Sequence, residues 1–145
     1  MTRPVYETAL NKSAEDAVAE QIAKAWDIQL VKLKPLYRFD RAFIFENEIT
    51  GYAEIKCRTN KSTDYPTYLL SMEKYTAATA LFNLMEKSVY LVVAWTDRTG
   101  WVKLVHNPEW RVKMGGRMDR NDEQDMEPCV FIPVKDFKTL EAKTI

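Results

Sequence analysis

The sequence predicts an α/β domain in which helices flank a sheet, and three observations lead there. Val18, Ala19, Ile22, Ala23 and Trp26 recur at the 3.6-residue period of an amphipathic helix. Two segments rich in aromatic and branched residues, 38–45 and 51–58, are separated by the polar stretch 46–50 and read as a hairpin. Residues 88–95 form a nearly continuous apolar run, the mark of a central strand buried on both faces.

The elements follow in chain order. Ser13 is placed to cap the first helix, which is expected to end near Asp27. Residues 28–33 alternate apolar with polar and read as a strand, broken by Lys34-Pro35. After the hairpin, residues 59–67 are polar and read as a loop. A second helix starts near Ser71, with Glu73 favoured by the dipole of the first turn, and runs through Ala77, Ala78, Leu81, Phe82 and Met85. The apolar run then meets a neighbouring strand at 101–105 across an Asp97-Arg98-Thr99-Gly100 turn. The core order is helix, three strands, helix, two strands. Residues 107–128 carry Gly115-Gly116 and a charged run at 119–127 and read as a flexible excursion. A last short strand is expected at 129–134, with Asp136 capping a terminal helical turn. No internal repeat or low-complexity tract is present.

Length and composition set the scale. A chain of 145 residues with 46% hydrophobic content fits a single domain over 1–145, large enough to bury a core without disulfides or structural metals. A charged share of 29% and a net charge of zero do not announce nucleic acid. Cys57 and Cys129 lie far apart and His106 is the sole histidine, which argues against a zinc site. The N-terminal stretch lacks an apolar signal core, and the run at 90–95 is too short to span a bilayer. The expected setting is therefore the cytoplasm, with free thiols and no membrane partner.

Phosphodiester cleavage needs a cation to neutralise developing charge and an activated water, and magnesium takes hard oxygen ligands. The hairpin offers them. Asp40 lies in its first arm and Glu54 in its second, while Lys56, two residues on, points to the same side of the strand as Glu54. The acid-x-Lys pattern recurs at Asp136/Lys138 and Glu141/Lys143, but only Glu54/Lys56 sits in mid-strand after an acidic hairpin arm. A solvated sheet face is the competing reading of the same spacing. In the first helix, Glu15, Ala19, Ile22 and Trp26 fall within a stripe about 60° wide, so Glu15 heads the buried face while Glu20 lies on the polar side. For Glu15, a place in the metal site and simple helix-dipole stabilisation stand as alternatives.

The arrangement of a helix with a leading Glu, then YRFDRAFIF, GYAEIKCR and a helix opening with LLSMEKY, resembles the PD-(D/E)XK nucleases, in particular phage-encoded members and Holliday-junction resolvases. The resemblance spans roughly residues 13–105. It implies a restriction-endonuclease-like αβββαβ core with a central mixed sheet flanked by helices. It further implies Asp40 and Glu54 as magnesium ligands, the Ile55 carbonyl as a further ligand, Glu15 as the helix contributor, and Lys56 orienting or deprotonating the attacking water. Manganese is expected to substitute. Lys74 matches a position where such proteins often carry a polar or basic residue near the site. Phe39 stands where the literal motif has Pro. The superfamily also contains inactive members, so a DNA- or protein-binding module on the same fold is the alternative function.

A neutral protein can still hold DNA if its positive charge is local. Residues 30–61 carry Lys32, Lys34, Arg38, Arg41, Lys56, Arg58 and Lys61 against Asp40, Glu46, Glu48 and Glu54. Arg38, Arg41, Arg58 and Lys61, with Lys74, are the expected DNA contacts. Arg117 after Gly115-Gly116 is a further candidate, against the plainer reading of a flexible turn. Cleavage of two strands would call for a homodimer.

Overall fold

A computed structural model describes residues 9–34, 37–116 and 126–141. Helix α1 (Ala9–Trp26) buries Val18, Ala19, Ile22 and Ala25 against the central sheet. It begins before Ser13, which therefore lies within the helix and does not cap it. Asp27, at φ 51°, turns the chain out of the helix into β1 (Gln29–Lys32). Trp26 closes this layer, its ring 5.1 Å from Tyr90 and 5.4 Å from Trp101.

The hairpin pairs β2 (Arg41–Phe45) with β3 (Glu48–Cys57). Its turn is tighter than the polar stretch suggested. Only Glu46 and Asn47 lie outside the strands, both with positive φ (50° and 65°), the backbone of a two-residue primed turn whose twist matches the strands. Within β3, Gly51 is required by a close approach: a Cβ there would lie 2.8 Å from the Ser88 carbonyl oxygen and 3.1 Å from the Phe43 ring. Gly51→Ala is expected to lower stability by about 1–3 kcal/mol through this overpacking, read as a lower denaturant midpoint at unchanged slope.

The chain then forms β4 (Thr67–Ser71) and α2 (Met72–Met85), and returns as β5 (Ser88–Ala94) parallel to β3. Strands β6 (Thr99–Lys103) and β9 (Lys138–Thr139) complete a six-stranded mixed sheet of order β1-β2-β3-β5-β6-β9, in which β3 and β5 are the parallel pair. Thus α1-β1-β2-β3-α2-β5 is the expected αβββαβ core, with α1 on one face and α2 on the other.

A second sheet was not expected. It is antiparallel, of order β4-β8-β7, with β7 at Arg111–Gly116 and β8 at Met126–Pro133. Part of the stretch read as a flexible excursion is therefore strand, and residues 117–125 lie outside the described residues. The last strand starts earlier than 129, and Asp136 ends a 3-10 turn (Val134–Asp136), where its carboxylate accepts from Trp110 Nε1 at 2.9 Å. Tyr68, Leu70, Val130 and Ile132 of this sheet pack with Tyr75 and Ala78 of α2 and with Val89, Leu91 and Val93 of β5, forming the larger core. Among the described residues, no helix is long and apolar enough to cross a membrane.

Candidate active site

Side chains alternate along β3. Ala53 and Ile55 belong to the core under α1, whereas Tyr52 packs on the core under α2. Glu54 and Lys56 share the parity of Tyr52 and so face α2. Glu54 is 2% exposed, an unusual place for a carboxylate unless it is paired.

Its partners come from three elements. Asp40 stands just before β2, and there its side chain replaces the backbone ladder: Asp40 Oδ2 accepts a hydrogen bond from the Ile55 N–H at 3.0 Å. In an extended strand the N–H and C=O of one residue project to the same side, so the Ile55 carbonyl is turned toward the Asp40 side of β3. From the first turn of α2, Lys74 places Nζ 2.6 Å from Glu54 Oε2 and also donates to the Arg38 carbonyl. Lys56 Nζ lies 3.8 Å from Glu54 Oε1, with its side chain 39% exposed.

Burial, followed by the charge and hydrogen bond of Asp40, pushes the Glu54 carboxyl up to about 7, while Lys74 and Lys56 oppose the rise. Burial first and the Asp40 charge second thus favour a proton on Glu54 near neutrality. A divalent cation relieves the same repulsion that the proton relieves, so this pair of hard oxygen donors fits magnesium. Among the described residues there is no group of three or more His, Cys, Asp or Glu side chains able to hold a metal. Such an ion would complete its shell with a carbonyl, waters and substrate oxygens, as magnesium usually does.

The expected site residues fall into distinct places. Asp40, Glu54, Ile55 and Lys56 come together, and Lys74 joins them as a direct partner of Glu54. Glu15 is half-buried on α1. Its charge adds to burial in pushing up the Cys57 thiol, at the end of β3 and on the opposite face from Glu54. Arg38 is exposed beside the site and pairs with Glu73 at 3.1 Å. Arg58 and Lys61 are exposed on the loop after β3. Arg41 departs from the expected surface cation: it is 7% exposed and its Nη2 lies 2.8 Å from Asp16 Oδ1, so packing of α1 on the hairpin has turned it inward. Arg117 lies outside the described residues.

Lys74 was expected as a basic residue near the site and as a DNA contact, but its pairing with Glu54 was not. A lysine in the first turn of a helix opposes the helix dipole and needs a counter-charge, which is the signal that could have shown it. Tyr68, in the unexpected β4, accepts from Arg58 Nη2 at 2.8 Å, and its hydroxyl feels the charges of both Arg58 and Glu54.

No curated protein matches the chain. Among solved structures it is similar to Hjc, a Holliday junction resolvase of the archaeal hyperthermophile Archaeoglobus fulgidus, at 10% identity and a TM-score of 0.48, over 84% of this chain and 88% of that one. The family model described as "Phage putative PDDEXK endonuclease" matches residues 1–140, and the chain belongs to that family.

Proposed function

We propose that the protein is a magnesium-dependent endonuclease acting on DNA, with Asp40 and Glu54 as carboxylate ligands and the Ile55 carbonyl beside them. The observation that carries this reading is the burial of Glu54 against Asp40, a costly arrangement for folding alone that suits cation capture. Magnesium supplies neutralisation of phosphate charge and a lower cost for generating the nucleophile, and manganese is expected to substitute. Lys56, at the exposed edge of the pair, holds and orients the attacking water. Lys74 orients the Glu54 carboxylate. Glu15, whose charge is felt at Cys57 on the other face of β3, is the outer contributor from α1. Arg38, Arg58 and Lys61 offer exposed positive charge to the DNA backbone. A homodimer is the assembly that would cut two strands.

One observation favours a binding module instead: Glu54 already has two ammonium neighbours, the arrangement of a structural ion pair. Calorimetric titration with manganese separates the readings. Wild type is expected to bind, and more weakly as pH falls below about 7, because Glu54 must shed its proton to ligate. Equal binding by an Asp40→Asn, Glu54→Gln double variant removes the proposed site. Linear, nicked, flapped and four-way DNA, each with magnesium, manganese or EDTA, then reports cleavage, and a wild type that binds DNA but cuts none of it in either metal is a module.

A further inference from the structure

Beyond Cys57 the chain leaves the sheet and runs through residues 58–66 before β4. This loop is held at both ends and in its middle. The Arg58 N–H donates to the Ala94 carbonyl at 2.8 Å and the Thr96 N–H to the Asn60 carbonyl at 3.1 Å. Ser62 donates its N–H and its Oγ to the Asp97 carboxylate, at 2.8 and 2.6 Å, and these two bonds hold the Asp97 carboxyl below its usual range. Between the loop, β4 and Trp95 lies a cleft of about 370 Å³. That is within the size of clefts that take small ligands, about 300–1,000 Å³.

Its walls have a consistent chemistry. Tyr65 presents a ring that is 65% exposed, and Trp95 closes the floor at 8%. Arg58 lines the opening, two residues beyond Lys56, and its bonds to Tyr68 and Cys57 leave further guanidinium donors for an anion. The hydroxyl of Tyr68, which also lines the cleft, accepts from Arg58 Nη2 at 2.8 Å. Arg58 follows Lys56 by two residues, about 7 Å along an extended strand, so on the nuclease reading a phosphodiester at Asp40 and Glu54 would have an adjoining nucleotide on the side of this cleft.

We infer that the cleft takes an unpaired nucleotide flanking the scissile phosphate, with the base stacked on Tyr65 and the adjoining phosphate on Arg58. The inference rests on the nuclease reading for the position of the scissile phosphate. A paired base inside a duplex shows only its edges in the grooves and keeps its ring faces inside the stack, so an aromatic wall beside the strand favours a base that has left the stack. The pinned loop means that the wall is formed before the nucleotide arrives.

The test is a binding measurement in EDTA, with a blunt hairpin duplex compared with the same duplex bearing a single-stranded extension whose first unpaired base is 2-aminopurine. Wild type is expected to bind the extended DNA at least about tenfold more tightly and to quench the 2-aminopurine, with Tyr65→Ala bringing the ratio to within about twofold and Tyr65→Phe preserving it. Equal affinity of wild type for the two DNAs, or a preference undiminished in Tyr65→Ala, overturns the inference. Because neither metal nor cleavage enters this measurement, absence of cutting would sink the nuclease reading and leave the preference for an unpaired base standing.

Discussion

Lys56→Met is expected to fold, to bind manganese and to bind DNA with a modest loss, yet to cut at least about a hundredfold more slowly, the scale of a lost acid-base group. The structure supplies the reasons for each part. The Lys56 side chain is 39% exposed, and methionine keeps most of its stem, so the core is not disturbed. Of the influences on Glu54, Lys56 is the weakest, and Lys74 keeps its 2.6 Å contact in the variant, so the carboxylate pair retains its capacity for the ion. What disappears is the ammonium that is not already tied to Glu54 by a short hydrogen bond. Single-turnover cleavage beside a calorimetric manganese titration separates chemistry from binding. A variant that cuts at the wild-type rate would falsify the assignment of Lys56.

Glu54→Gln should abolish manganese binding and cleavage and, in the same molecule, raise stability at pH 8 without metal by on the order of 2 kcal/mol. The folded carboxyl sits at about 7 against 4.5 unfolded, so between those values the folded protein holds a proton that the unfolded chain has released. Wild-type stability therefore falls as pH rises through this window, and above it the folded state carries a buried ionised carboxylate. The amide removes that cost. Part of the gain is offset by leaving Lys74 opposite a neutral group, which is why the figure is below the full value of the shift. Thermal unfolding in EDTA at pH 5 and pH 8 reads the effect: the advantage of the variant should be large at pH 8 and shrink as pH approaches 4.5. An advantage that does not change with pH would show that Glu54 titrates as an ordinary carboxyl.

The hairpin was legible because its information is local. Alternation along 51–58 assigns Glu54 and Lys56 to one side, and the aromatic run before it brings Asp40 alongside. Ser71 likewise placed α2 within one residue of its start, although its side chain makes no capping hydrogen bond. Ser13 shows the limit of such reasoning: its type suits a cap, but nothing nearby in sequence reveals that the helix has already begun at Ala9. The second sheet stayed hidden for a different reason. Strand β7 is exposed along most of its length and so has no periodic burial to betray it, and β4 pairs with residues more than fifty positions away. Gly115 had the look of a turn residue, yet it is strand. A Cβ there would meet Leu69 at 2.9 Å and the Cys129 sulfur at 3.2 Å, so the glycine answers to packing between strands. The inward turn of Arg41 and the contact of Lys74 with Glu54 are products of helix docking, which sequence spacing does not encode.

The two carboxylates depend on different elements for their surroundings. Asp40 meets the Ile55 N–H across only 15 residues of chain, within a single hairpin, a closure of low entropic cost. Glu54 meets Lys74 only after the chain has passed through β4 and α2 has packed on the sheet, and the burial that lifts its carboxyl to about 7 needs that same helix. A nascent chain that has made the hairpin alone thus has both carboxyls near one another but solvated, with neither the dry surroundings nor the ammonium that orient Glu54. The assembled surroundings of Glu54 depend on the docking of α2, whereas the Asp40 contact depends on the hairpin alone.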